Sequence, residues 1–173
     1  GMILPACLAK AVSVGAVWDA NVGAQTFFGC TDATTAADQV ACWSNSSTTT
    51  DVFAPGALMT SSLLGGTSIA LAGTSYATPI VAACAATLSA AHPTATPDQL
   101  TAALRTASVT VVDATNGLSF PRLDCAAAKA ALFPAIPSLS RDAWRYLALL
   151  LLAAAGVVLP LSARRRAHAA HRN

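Results

Sequence analysis

The string Gly73-Thr74-Ser75-Tyr76-Ala77-Thr78-Pro79 limits what this chain can fold into more than any other segment. A turn of small residues presents a serine, and an uncharged, mostly apolar run from Ile80 to Leu88 follows it. The spacing predicts one long helix over 75–91, with Pro79 in its first turn, where a missing N–H costs little. A serine at a helix entrance has an exposed hydroxyl and an N–H without an intrahelical partner, at the positive end of the helix dipole. A nucleophile whose attack creates an oxyanion needs that geometry. The competing reading is a plain Ser or Thr N-cap on a core helix.

The flanking segments supply the rest of the framework. Residues 11–19 alternate with Val and Trp and read as a strand. Residues 20–39 read as loop, and 40–43 and 52–54 as short strand pieces. Gly65-Gly66 is a hairpin turn signal inside 63–72. A second helix starts at Thr96-Pro97-Asp98-Gln99, with Thr96 as N-cap, Pro97 first and Gln99 closing a capping box, and runs to about residue 107. A third covers about 123–132, and 135–140 is a Pro-punctuated linker. Strands mixed with long helices suit an α/β fold.

The string G-T-S-x-A-T-P, followed by Ile80-Val81-Ala82, resembles the serine motif of subtilisin-like serine peptidases. Ala11-Val12-Ser13-Val14-Gly15-Ala16 resembles that family's strand before its variable loop. Cys42-Trp43-Ser44-Asn45 stands where the family has Phe-Ser-Asn. Asp51-Val52-Phe53-Ala54-Pro55-Gly56 is similar to its Asp-x-x-Ala-Pro-Gly segment, and Asn116-Gly117 through Leu123-Asp124 resembles the end of its domain. The match covers roughly residues 1–132 in the family's order. It implies the C-terminal part of a subtilisin-like parallel-sheet fold, with Ser75 as nucleophile of a serine-type endopeptidase acting on protein or peptide substrates. Ile80 stands where the family often has His, and Ala83 where it often has Gly.

The resemblance also implies partners that this chain lacks. The family carries its catalytic residues in the order Asp, His, Ser. The Asp, the His and the Asn of the oxyanion hole would precede residue 11. The chain opens on Gly1 with no visible signal peptide, and reads as the C-terminal piece of a longer protein. No local residue replaces the base. His92 lies about 25 Å from Ser75 along a helix, beyond the ~3 Å that proton transfer needs. His168 and His171 sit beyond an apolar segment among arginines, and Lys10 is placed on a strand edge. The fragment alone is expected to be inactive. Without the upstream strands its apolar surface stays exposed, at about 25 cal/mol per Å², so the chain by itself is expected to be unstable. The alternative function is a non-catalytic cell-surface scaffold or adhesion domain that keeps the fold.

No cofactor is required by this chemistry. The resemblance admits a structural calcium, held by the Asp51 carboxylate and the carbonyls of Ala9 and Ala11, since hard cations take oxygen ligands. The other reading of Asp51 is a turn or strand cap. There are five cysteines. Cys30 and Cys42 bracket the polar insertion 31–41, and a disulfide there would stabilise by roughly 2–3 kcal/mol through loop entropy. Cys84 falls in the apolar helix and reads as a free core residue. With no CxxC pair and no His/Cys cluster, zinc is not indicated.

Charge is segregated. Residues 1–140 carry a net −3 and residues 141–173 a net +5, within an overall +2, and no glutamate occurs. A basic tail alone would suit nucleic acid or membrane. The adjacent uncharged run 147–161 selects membrane over nucleic acid. Residues 143–163 read as a transmembrane helix, with Trp144 and Tyr146 at one interface and Arg145 snorkelling. Arg164-Arg165-Arg166 then open a basic cytoplasmic tail, 164–173, leaving the catalytic part extracytoplasmic. The linker, 133–142, contains Ile136-Pro137-Ser138-Leu139. With the apolar helix and arginines behind it, it is similar to a bacterial IPTL-CTERM sorting signal, which implies a sorting protease as a further partner.

Overall fold

The computed structural model describes residues 4–133, 145–146 and 149–153. The chain divides into two compact units, 1–134 and 135–173. In the second, the described positions 145–146 and 149–153 are helical. No described helix is long and apolar enough to cross a membrane. Most of the expected span 143–163, all of the tail 164–173 and most of the sorting-like segment lie outside the described residues.

The first unit is built on two parallel strands, β1 (Val14–Val17) and β4 (Val52–Pro55), paired Val14↔Val52 through Val17↔Pro55. All eight residues are buried, as a parallel pair covered on both faces requires. Side chains alternate between those faces. Val14, Ala16, Val52 and Ala54 meet the helices. Val17 and Phe53 meet Val111 and Phe120 on the opposite side. Gly15 is obligatory in this arrangement, because a Cβ there would sit 2.3 Å from the Phe53 ring.

Three hairpins decorate the pair. The crossover from β1 to β4 carries β2 (Gln25–Phe27) and β3 (Cys30–Asp32), antiparallel, inside the stretch expected as loop. Residues 40–43, expected as a strand piece, make only a single bridge, Val17↔Val40. β5 (Met59–Leu63) and β6 (Thr67–Leu71) form the hairpin that Gly65-Gly66 signalled, both glycines having positive φ. β7 (Thr110–Val112) and β8 (Ser119–Pro121) form the third around the Asn116-Gly117 turn.

The helices are α1 (Thr74–Ala91), α2 (Pro97–Leu104) and α3 (Cys125–Leu132). α1 buries Ala77, Val81, Cys84 and Leu88 along one stripe, against Val14, Ala16, Val52 and Ala54. α2 starts in the expected way: Thr96 Oγ1 accepts the Gln99 N–H and the Gln99 side chain accepts the Thr96 N–H. Asp124 caps α3 by accepting the Ala127 N–H. Two expectations are corrected. Pro79 is the sixth helical residue, in the second turn of α1 and not the first. Its ring removes the donor that the Ser75 carbonyl would otherwise take. Cys84 is not free: it is bonded to Cys125, which α3 brings opposite it at a Cα–Cα distance of 5.8 Å. Cys30–Cys42 is also bonded, and Cys7 is free and exposed.

Candidate active site

Ser75 occupies the second position of α1 and is exposed. The turn that delivers it is fixed from behind. Gly73, the N-cap, has φ 155° and ψ 154°, a conformation open to glycine. Its N–H donates to the Gly56 carbonyl at 2.7 Å, tying the serine turn to the end of β4. Gly56 permits that approach: a Cβ there would lie 2.7 Å from Ala16 Cβ and 2.9 Å from the Gly73 carbonyl oxygen. The Tyr76 N–H donates back to Gly73 at 2.9 Å, and the Thr78 hydroxyl to the Thr74 carbonyl at 2.9 Å. Ser75 therefore stands in the first turn of α1, where backbone N–H groups lack intrahelical acceptors and favour negative charge.

Among the described residues, no side chain hydrogen-bonds Ser75 Oγ. His92 caps the far end of α1, where its N–H donates to Leu88 O at 2.9 Å. Its ring contacts Thr94 Oγ1 at 3.0 Å and lies 5.1 Å from the Phe133 ring centroid. Eighteen residues of helix separate the two ends of α1, so His92 cannot take the proton of Ser75. Lys10 pairs with Asp98 at 3.4 Å on an exposed surface. His168 and His171 lie outside the described residues.

Asp51 has a full set of partners. Its Oδ2 accepts the Ser13 N–H at 2.7 Å and the Ser13 hydroxyl at 3.0 Å. Its Oδ1 accepts Arg105 Nε at 2.8 Å and also Arg105 Nη2. The carboxylate is buried while the guanidinium is half-exposed. A cation at Asp51 would meet the guanidinium, so Asp51, Ala9 and Ala11 do not fit a calcium ion in this arrangement. Among the described residues no group of three or more His, Cys, Asp or Glu side chains converges.

Two further buried aspartates are structural. Asp32 accepts the Trp18 indole N–H at 2.8 Å and the Cys42 N–H at 3.1 Å. Asp113 accepts Ser46 Oγ at 2.5 Å, Thr115 N at 2.8 Å, Thr115 Oγ1 at 2.6 Å and Asn116 Nδ2 at 3.3 Å. Burial opposes its ionisation, but the hydrogen bonds from Ser46, Thr115 and Asn116 prevail and hold its carboxyl below the ordinary value. Trp43 packs against two buried clusters, the one built on β1, β4 and the helices and the one that holds Trp18. Its indole N–H is buried without an acceptor among the described residues. Nothing in the sequence marks Gly56 as functional. Its role depends on what packs against the turn, although it lies in a segment that resembles the family's.

The profile of the subtilase family matches residues 3–132. The chain belongs to the subtilase family. No curated protein matches it at a significant level. Among solved structures, this subtilase chain is similar to a cold adapted subtilisin-like serine proteinase. Identity is 31% and the TM-score 0.55, over 69% of this chain and 38% of that one. It is also similar to the patellamide maturation protease, at 27% identity and TM-score 0.56, over 75% of this chain and 45% of that one. A third is a protease from Pseudoalteromonas arctica, at 25% identity and TM-score 0.57, over 75% of this chain and 38% of that one. The subtilase chain thus spans between 38% and 45% of the length of these proteins. The neighbours support the α/β subtilase fold and a serine peptidase family, one that acts on proteins or peptides.

Proposed function

We propose that this chain is the nucleophile-bearing part of a serine endopeptidase, with Ser75 forming the acyl-enzyme. The observation that carries the reading is the exposed Ser75 in the first turn of α1, on a turn anchored to Gly56. Ser75 Oγ attacks the scissile carbonyl, and the Ser75 N–H donates to the oxyanion that forms. A His from the upstream part of the same protein takes the hydroxyl proton and later gives it to the leaving amine. An upstream Asp orients that His, and an upstream Asn supplies the second oxyanion donor. In subtilisin itself, removing such a His costs about six orders of magnitude in kcat. A loss of that size leaves the chain alone near inactivity.

The setting proposed for this enzyme is extracytoplasmic. The uncharged run 147–161 and the arginines behind it support a membrane anchor. The Ile136-Pro137-Ser138-Leu139 segment supports processing by a sorting protease. A fluorophosphonate probe on the full-length protein tests the catalytic reading. The expected result is a covalent adduct on Ser75 that Ser75→Ala abolishes. A folded full-length protein that resists the probe would leave the non-catalytic scaffold in its place.

A further inference from the structure

We propose that Arg105 is a built-in cation that takes the place of a structural calcium at Asp51, so that this tie holds without metal, and that removing the arginine opens a calcium site there. The inference concerns the Asp51 tie and does not rest on Ser75 being the nucleophile.

Asp51 is only 6% exposed. A carboxylate buried this far is costly unless an opposite charge and hydrogen bonds meet it. Its two oxygens are met differently. Oδ2 accepts the Ser13 N–H at 2.7 Å and the Ser13 hydroxyl at 3.0 Å, both neutral donors. Oδ1 takes the charge: it accepts Arg105 Nε at 2.8 Å and Arg105 Nη2 as well. Two nitrogens on one oxygen put the guanidinium where a metal bound to that oxygen would sit. A calcium ion on Oδ1 would need the same space, and two cations that close repel.

Arg105 reaches this point from the C-cap of α2, where its own N–H donates to the Thr101 carbonyl at 3.2 Å. Asp51 stands just before β4, and Ser13 just before β1. The pair therefore ties α2 to the start of the buried parallel strands. Ala9 and Ala11, whose carbonyls a calcium ion would use, line one cavity together with Asp51 and Arg105. Arg105 also lines a second cavity, with Thr48 and Ser119. Its side chain is 56% exposed, so an ion from solvent can reach the place it fills once it is gone. A carboxylate oxygen with backbone carbonyls and water is a hard donor set that suits calcium. A tie made by a bound ion strengthens and weakens with the concentration of that ion. A covalently attached guanidinium stays charged and in place whatever the calcium concentration.

The test uses the full-length protein in four forms: wild type, Arg105→Ala, Arg105→Lys, and Arg105→Ala combined with Asp51→Asn. Each is unfolded by heat in EDTA and again in about 10 mM calcium chloride, roughly ten times the Kd of a weak extracellular calcium site. The expected result is that calcium raises the Tm of Arg105→Ala by about 3–6 °C more than it raises that of the wild type. Arg105→Lys, which keeps a cation, and the double variant, which lacks the carboxylate, respond as the wild type does. Calcium bound at distant sites shifts all four alike and cancels from the comparison. An Arg105→Ala protein that gains no more than the wild type overturns the proposal. So does a double variant that keeps the extra gain, because the ion then binds without Asp51. The same gain in Arg105→Lys also overturns it, because a resident charge then does not exclude the ion. If Arg105→Ala fails to fold in EDTA, its recovery in calcium is the expected result, and failure in both media contradicts the exchange of arginine for metal.

Discussion

At the scale of single residues, the serine turn depends on a glycine that does no chemistry. Gly56 lies between Ala16 and Gly73, and a methyl group there would come 2.9 Å from a backbone oxygen that cannot rotate away. Gly56→Ala is expected to push Gly73 off its 2.7 Å hydrogen bond and tilt Ser75. Overpacking of this kind costs about 1–3 kcal/mol. In the full-length enzyme the variant should be labelled by a fluorophosphonate at least tenfold more slowly. Asp51 and Arg105 make a second residue-scale prediction. Arg105→Ala leaves a buried carboxylate with Ser13 donors alone. The half-exposed guanidinium limits the effect to about 1–3 kcal/mol, read as a lowered Tm, and Arg105→Lys should recover only part because it lacks the two-nitrogen contact. The position of Ser75 is legible in the sequence because a turn and a helix start are local. The Arg105 partnership is not, since 54 positions separate the pair and only the fold joins them.

At the scale of elements, the sequence is most legible where side chains act on their own backbone. The Thr96–Gln99 box and the Gly65-Gly66 hairpin are such cases. β7 and β8 escape because three-residue strands are too short to show a period. The Asn116-Gly117 turn between them stands out only through its likeness to the end of the family's domain. The Cys84–Cys125 bond escapes for a different reason: it needs α1 and α3 side by side. Cys125→Ser should lower stability by up to about 4 kcal/mol on loop-entropy grounds, measured as a shift in denaturant midpoint under oxidising conditions.

The β7–β8 turn also carries a pH dependence. The Asp113 carboxyl is held below its ordinary value in the folded chain. Its contribution is therefore complete above the unfolded value of about 3.9 and is lost as pH falls through the lowered folded one. Asp113→Asn should flatten the acid side of a stability–pH profile, below the unfolded value of about 3.9, while at neutral pH it should lower stability.

At the scale of the whole molecule, a subtilase is present in part. The chain spans between 38% and 45% of its structural neighbours. α1 buries one stripe and leaves residues such as Ala82, Ala83, Ala86 and Ala90 exposed. If the upstream part of the protein completes the fold, those residues meet it. The isolated chain should then lack a sharp thermal transition and gain one when the upstream part is supplied. The measurement that tests the central claim most directly is mass spectrometry of fluorophosphonate-treated protein, comparing the full-length molecule with residues 1–173 alone. The expected result is an adduct on Ser75 in the full-length protein and none in the chain alone. A folded full-length protein that carries no adduct, or carries it on another residue, would contradict the assignment of Ser75 as the nucleophile.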